Sequence, residues 1–265
     1  MWHNWQCTQA AVPDEGRETV VDVIRRQELT RRRLEALLAE LEACSDDWLS
    51  VYLPPGARPS PDEKLAPNQA PWLEEIDALA AELDSETGAV FFWSGARRLV
   101  VLPPFPLREA RCRAGCDTSP LRSLLSEPRT VGVVLLRLGH YAVGLFEGER
   151  LVDSKTGQRF VKGRHKAGGQ SAQRFVRIRE KQIREMFDKA CEVAQARFEP
   201  VERELDHIFL GGDRHTLGAF LKRCPYLRRL EDRTMKRLLP VARPGRDALE
   251  AMPREIFKSQ VLFVG

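Results

Sequence analysis

Residues 163–175 read GRHKAGGQSAQRF and combine a pair of adjacent glycines with basic residues on both sides. Gly168 and Gly169 can adopt positive φ, so the backbone can turn sharply there and approach another molecule closely. Ser171 is a good N-cap for the helix that is expected to follow. Gln170 should therefore lie on an exposed turn at a helix N-terminus, where unpaired amides and the helix dipole favour negative charge.

The helix predicted over residues 172–198 has two different faces. Four basic residues are spaced by three, four and three positions and therefore line one face. They are Arg174, Arg177, Lys181 and Arg184. The other face is apolar and is expected to pack on a β-sheet. It consists of Val176, Ile183, Phe187, Ala190 and Ala194. One helix thus offers a surface for the core and a surface for phosphate groups.

Basic residues are concentrated around this stretch. The chain carries a net charge of +4, but residues 154–184 hold ten Lys or Arg and a single acid, Glu180. That segment therefore carries +9 and the remainder of the chain −5. A basic block in an otherwise acidic chain indicates contact with a polyanion. The simpler alternative, a solvated basic surface without a partner, stays open at this point.

Length and composition exclude several classes of protein. A chain of 265 residues allows one large domain or two modest ones. With 43% hydrophobic and 30% charged residues, it is neither collagenous nor largely disordered. No apolar stretch approaches the ~18 residues of a membrane span, and the N-terminus does not resemble a signal peptide. The six cysteines are scattered, so we expect reduced thiols, a cytoplasmic location and no membrane contact.

The first third of the chain is expected to be a helical extension. Residues 18–42 and 72–83 have apolar residues at helical spacing, and residues 48–53 could form a short strand. Residues 54–71 contain six prolines, which is typical of a linker or long loop. We therefore assign residues 1–87 to a helical N-terminal extension with a proline-rich linker.

Residues 88–265 are expected to form an α/β domain, with a mixed sheet that contains an antiparallel meander and is packed against helices. Two strands form a hairpin, three form the meander, and a basic loop over residues 154–170 follows. The predicted strands span residues 89–93, 98–102, 131–138, 141–147, 150–153, 205–210, 235–241 and 260–264, and a second helix spans residues 216–223.

The stretch Gly168-Gly169-Gln170-Ser171-Ala172, with Arg174-Phe175 and Arg177 after it, resembles a known family. It is similar to the catalytic loop and helix of the eukaryotic and archaeal class-one peptide chain release factors and of related rescue peptidyl-tRNA hydrolases. The resemblance extends over about residues 131–241. The chain shows neither the codon-reading motif nor the GTPase-recruiting domain of the termination factors. It is therefore most similar to the bacterial Vms-like, or VLRF-type, release factors.

This resemblance implies a ribonuclease H-like release-factor catalytic domain. It implies a peptidyl-tRNA hydrolase that acts without codon recognition on nascent chains in stalled ribosomal large subunits. Gly168, Gly169 and Gln170 would be catalytic, because the glutamine can position a water and its backbone N–H can stabilise an oxyanion. The implied RNA-binding residues are Lys162, Arg164, His165, Lys166, Arg174, Arg177, Lys181 and Arg184. The expected partners are the large subunit and peptidyl-tRNA, with no metal or cofactor, and the free protein is expected to be a monomer.

Two alternatives remain open from the sequence. The chain could be a noncatalytic ribosome- or RNA-binding module that uses the same basic loop. It could also be a tRNA-directed nuclease, if Asp153, Asp206 and Asp213 converge as ribonuclease-like carboxylates. Cys112 and Cys116 have no second pair at zinc spacing and are expected to be loop thiols.

Overall fold

The computed structural model describes residues 23–60, 66–161 and 170–265, with the backbone alone for residues 170–172. The chain divides into two compact units. The first comprises residues up to Leu125 together with Lys258–Gly265, and the second is Ser126–Phe257. The boundary expected between residues 87 and 88 lies inside the first unit, because strands on both sides of it pair in one sheet.

The first unit is built on a six-stranded antiparallel sheet. Its strands are β1 (Val23–Leu29), β2 (Leu49–Leu53), β3 (Ala89–Trp93), β4 (Arg98–Leu102), β5 (Arg111–Ala114) and β10 (Ser259–Val264), numbered with those of the second unit. Their order in the sheet is β1-β10-β4-β3-β2-β5. The predicted hairpin is confirmed as β3 and β4, and the predicted strand at the end of the chain as β10.

Three helices cover the two faces of this sheet: α1 (Arg31–Glu42), α2 (Ala70–Glu82) and α3 (Ser119–Ser126). Neighbouring residues of a strand point to opposite faces. Phe92 accordingly packs with Leu38 of α1 and Leu121 of α3, whereas Phe91 packs with Ile76 of α2. The predicted helix over residues 72–83 is confirmed as α2.

The expectation of a helical N-terminal extension is wrong for the described residues. Residues 23–29 form strand β1 rather than the first turns of a helix, and α1 begins only at Arg31, after Thr30. The reason is tertiary, because β1 pairs along its length with β10 at the far end of the chain. Such pairing routinely overrides local helical spacing. The beginning of the predicted helix, residues 18–22, lies outside the described residues.

The second unit contains a four-stranded mixed sheet in the order β8-β7-β6-β9. Strands β6 (Thr130–Arg137), β7 (His140–Glu147) and β8 (Arg150–Gln158) form the predicted antiparallel meander, and β9 (Leu205–Gly212) lies parallel to β6. Strand β8 continues through Gln158. Residues 154–158, which were expected to begin the basic loop, are therefore part of the sheet.

Helices cover both faces of this sheet as well. Helices α4 (Gln170–Phe198), α5 (Arg214–Arg223) and α6 (Pro225–Arg229) share one hydrophobic core on one face, and α7 (Arg246–Ile256) packs on the other against Gly144. None of the helices in the described part of the chain has the length and apolar composition needed to cross a bilayer.

The strand expected over residues 235–241 is not formed. This segment touches β9 through two single bridges only, Ile208–Thr234 and Gly211–Leu239. Met235 N–H donates to the Ile208 carbonyl and Leu239 N–H to the Leu210 carbonyl. Met235 and Leu239 are four positions apart, whereas the residues that accept their hydrogen bonds, Ile208 and Leu210, are two positions apart. A regular ladder needs equal spacing on both strands, so none forms here.

A disulfide joins Cys191 of α4 to Cys224, which directly precedes α6, with the two Cα atoms 5.4 Å apart. The expectation that all cysteines are reduced thiols is therefore wrong for this pair. The two cysteines are 33 positions apart in the sequence, and only the packing of α4 beside α6 brings them together. Cys44, Cys112 and Cys116 are reduced thiols, as expected.

Gly132 in β6 allows the end of α4 to lie directly against the sheet. A Cβ at this position would lie 2.8 Å from the ring of Phe198, which is fully buried. The ring occupies the space that any other residue would fill with its side chain. Gly132 therefore sets the distance between α4 and β6.

We expect Gly132→Ala to lower the free energy of unfolding by about 1–3 kcal/mol, because the ring must move to admit the new methyl group. Gly218→Ala is the matched control, since nothing lies within 4 Å of a Cβ there and the residue is in helix α5. That change should stabilise the protein by about 0.5–1 kcal/mol. Urea unfolding followed by circular dichroism measures both. Equal effects of the two substitutions would contradict the proposed close approach.

Candidate functional site

The predicted catalytic residues lie at and before the N-terminus of α4. Gln170 is the first residue of this helix, two positions earlier than predicted. Ser171 is therefore inside the first turn and does not serve as the expected N-cap, since a cap residue lies outside the helical conformation. The other predicted residues of the loop lie outside the described residues. They are Lys162, Arg164, His165, Lys166, Gly168 and Gly169.

The second half of α4 is fixed in the core. Its buried residues are Met186, Phe187, Ala190, Val193, Ala194 and Phe198. They pack with the side chains of β6, β7 and β9 that face the same side, such as Val134, Tyr141 and Ile208. The helix is therefore anchored at the end that is far from Gln170.

The first half of α4 lies outside that core. Val176 was expected to pack on the sheet, but it is 54% exposed, and the apolar contacts begin only at the half-buried Ile183. The lengths explain this. A helix of 29 residues is about 43 Å long, whereas strands of eight residues are about 27 Å long. The helix is longer than the sheet that it covers, and the excess is at the Gln170 end.

The predicted basic face of α4 is exposed along its whole length. It comprises Arg174, Arg177, Lys181 and Arg184. Lys181 and Arg184 have weak partners on the same helix, since each lies 3.9 Å from a glutamate one turn away. Exposed pairs of this kind contribute about 0.3–0.5 kcal/mol. Arg174 and Arg177 form no ion pair with any other described residue. All four cations can therefore turn to an outside anion at little cost.

The exit of β8 toward the loop is tied to α4. The Arg159 guanidinium lies 2.9 Å from a carboxylate oxygen of Glu185, and the Arg159 N–H donates to the Gly139 carbonyl at 2.9 Å. The next described anchor, Val161, packs against the core of the second unit. The sequence did not single out Arg159 and Glu185 as a pair, because they are separated by the whole loop. The backbone hydrogen bond to Gly139 and the packing of Val161 position the point where the chain leaves the sheet, and the exposed ion pair adds a small contribution.

The structure does not bring the three candidate carboxylates together. Asp153 pairs with Arg197 at 3.2 Å, and Asp206 accepts a hydrogen bond from the Thr130 N–H at 2.8 Å. Asp213 is the N-cap of α5 and accepts from the Thr216 N–H at 2.9 Å. Among the described residues, no three His, Cys, Asp or Glu residues are grouped as a metal site would require.

The hydrogen bonds from Thr216 hold the pKa of Asp213 below its ordinary value. Because the pKa of Asp213 is lower in the folded state, the charged cap stabilises the protein fully at pH values above the unfolded-state pKa, which is near 4. This stabilisation is lost as the pH falls through the lower pKa of the folded state. We expect Asp213→Ala to cost about 1 kcal/mol at pH 7 and less below pH 4. Asp213→Asn should retain most of the stability, because asparagine also caps well.

Urea unfolding at pH 7 and pH 3 checks this expectation. A loss at pH 3 as large as that at pH 7 would show that the charge of Asp213 does not contribute. An aspartate that only caps a helix should also leave the biochemical activity of the protein unchanged when it becomes asparagine.

Residues 129–262, just over half of the chain, match the sequence model of the family described as Actinobacteria/chloroflexi VLRF1 release factor. The chain belongs to the VLRF1 release factor family. The match begins one residue before β6, continues to the end of the second unit and ends within β10. The VLRF-type membership predicted from the Gly-Gly-Gln stretch is confirmed.

More distant relatives are archaeal. This VLRF1 family member is 33% identical over 117 residues to the Archaeoglobus fulgidus protein named peptide chain release factor subunit 1, covering 44% of this chain and 29% of that protein. The Picrophilus torridus protein of the same name is 24% identical over 251 residues, covering 84% of this chain and 61% of that one. The chain thus spans less than two thirds of either relative. The crystal structure of an archaeal translation termination factor aligns with 86% of this chain over 73% of its own length. The sequence identity of this alignment is 22%, and the TM-score is 0.38.

Proposed function

We propose that this protein is a codon-independent peptidyl-tRNA hydrolase that releases nascent chains from stalled ribosomal large subunits in the cytoplasm. The observation that carries the proposal is the place of Gln170, the first residue of a helix whose side chains at residues 173–177 are exposed and whose other end is fixed in the core. This geometry suits a residue that must reach into a partner. Membership of a release factor family and the archaeal relatives named for peptide release support it.

The reaction would be hydrolysis of the ester between the nascent peptide and the 3′ end of the tRNA. Water adds to the ester carbonyl, and the resulting tetrahedral intermediate expels the tRNA oxygen, which takes up a proton. Gln170 is neither an acid nor a base at neutral pH, so its role is to position the water by hydrogen bonding. Its backbone N–H, at a helix N-terminus, would stabilise the oxyanion of the intermediate. Proton transfer would fall to groups of the RNA.

Gly168 and Gly169 would allow the backbone to approach the ester without a steric clash. The basic residues would hold RNA phosphates without reading the base sequence. These are the exposed cations of α4 and, in the loop before the glycines, Lys162, Arg164, His165 and Lys166. We propose that the free protein is a monomer and that its partners are the large subunit and peptidyl-tRNA. The mechanism proposed for it uses no metal or cofactor.

A noncatalytic ribosome-binding module is the second candidate. The exposed basic face of α4 favours it equally, because phosphate binding by this face requires no reaction. The two functions differ only at the residues placed against the ester. Substitutions at the glutamine and at the basic face therefore separate them.

We expect Gln170→Ala to reduce peptide release on the order of 10²-fold, because the hydrogen bond that positions the water is lost. Stability should change by less than about 0.5 kcal/mol, as for other surface sites. Gly169→Ala should also reduce release, by hindering the backbone turn. The assay follows hydrolysis of peptidyl-tRNA on purified large subunits without messenger RNA, so that any release is independent of a codon. Unchanged rates in both variants would favour the binding module.

A second test concerns the basic face. The affinity of the protein for large subunits should fall steeply as the salt concentration rises. The double substitution Arg174→Glu with Arg177→Glu should weaken binding. It should also reduce the slope of log affinity against log salt concentration by about one for each lost phosphate contact. The matched control is Arg214→Glu with Lys222→Glu, which makes the same charge change on the exposed side of α5. The control should leave affinity nearly unchanged at 0.15 M salt. Equal weakening by both pairs would show that net charge alone drives binding.

A further inference from the structure

Phe160 is an aromatic side chain without a place in the core. It is 74% exposed, the largest exposed fraction of any large apolar side chain in residues 23–60, 66–161 and 170–265. Burial of a phenylalanine side chain stabilises a protein, and this position forgoes most of that gain. A side chain kept in solvent at such a cost is a candidate for contact with a partner.

The backbone around Phe160 is nevertheless fixed. On one side, the Arg159 N–H donates to the Gly139 carbonyl at 2.9 Å, and the exposed Arg159 guanidinium adds a weak ion pair with Glu185. On the other side, Val161 packs against the core. Phe160 is therefore an exposed ring on an anchored backbone. A group that is already positioned loses less conformational entropy when it binds, which makes the ring suitable as a rigid contact.

The residues connected to the backbone around Phe160 are mainly apolar and basic. Leu138, which is 40% exposed, precedes the glycine that accepts the hydrogen bond from Arg159. Glu185, the partner of Arg159, also pairs with Lys181 on the basic face of α4. The acids within this group are thus already engaged with cations of the protein. Phe160 directly follows Arg159, so the ring is one residue along the chain from the cation that joins this network to the basic face.

We propose that Phe160 stacks on one unpaired base of the RNA that the basic face of α4 binds. The inference rests on the proposed function in taking RNA as the partner. Exposed bases of single-stranded RNA stack on aromatic side chains while neighbouring cations bind their phosphates, and both groups are present here. A protein partner is the weaker alternative, because a stable protein interface needs about 800 Å² on each side, several times what one phenylalanine offers.

The test compares substitutions that separate stacking from general apolar contact. Phe160→Ala and Phe160→Leu should each weaken binding to large subunits loaded with peptidyl-tRNA on the order of tenfold, whereas Phe160→Tyr should bind as the unmodified protein does. The salt dependence of binding should stay the same in all three, because no phosphate contact is lost. Ile24→Ala is the matched control, since Ile24 is 72% exposed in the first unit, and it should have no effect.

Three outcomes would overturn the proposal. Retained affinity in Phe160→Leu would indicate an apolar contact with protein or lipid, and retained affinity in Phe160→Ala would indicate no contact. A photoreactive phenylalanine analogue at position 160 should crosslink to RNA, and crosslinks to ribosomal protein alone would contradict stacking. Failure of the hydrolase proposal is distinguishable, because in that case no variant releases peptide while the effects at Phe160 on binding persist.

Discussion

The burial of the second half of α4 is the constraint on which the site depends. Phe198 sits in the space left by Gly132, and Met186, Phe187 and Ala190 continue the contact along the sheet. This packing fixes the direction of a helix that is longer than its support. The first half, with its exposed cations and with Gln170 as its first residue, therefore takes its direction from the packed second half. A residue that must enter a partner gains from this arrangement, because its neighbours are not required for the core.

Two further interactions complete the support of that helix. The disulfide between Cys191 and Cys224 joins α4 to the segment that begins α6, within the same core as Phe187 and Phe220. The ion pair of Arg159 with Glu185 ties α4 to the strand that leads into the loop. The loop thus leaves the sheet from a fixed point, and the chain that follows it enters a helix that is fixed at its far end.

The exposed aromatic ring at Phe160 and the basic face of α4 have complementary roles. Cations bind phosphates at any position along a strand and carry no preference for its geometry. A ring on an anchored backbone adds a contact that requires an accessible base. Together they would favour RNA that is irregular or open over a regular duplex, in which the bases are stacked inside. The same logic explains why such a ring can stay exposed although most of the described aromatic residues are buried.

The sequence by itself determined the elements whose signals are local. The hairpin of β3 and β4, the meander of β6 to β8, the long helix and its basic face follow from alternation, turn residues and helical spacing, and the Gly168-Gly169-Gln170 stretch carried the family. Only the tertiary structure decided that residues 23–29 are a strand, because their partner β10 lies at the other end of the chain. It also decided that Val176 is exposed, that Cys191 meets Cys224, and that Asp153, Asp206 and Asp213 have separate partners. Each of these depends on residues far apart in sequence, and no periodicity within a single segment contains that information.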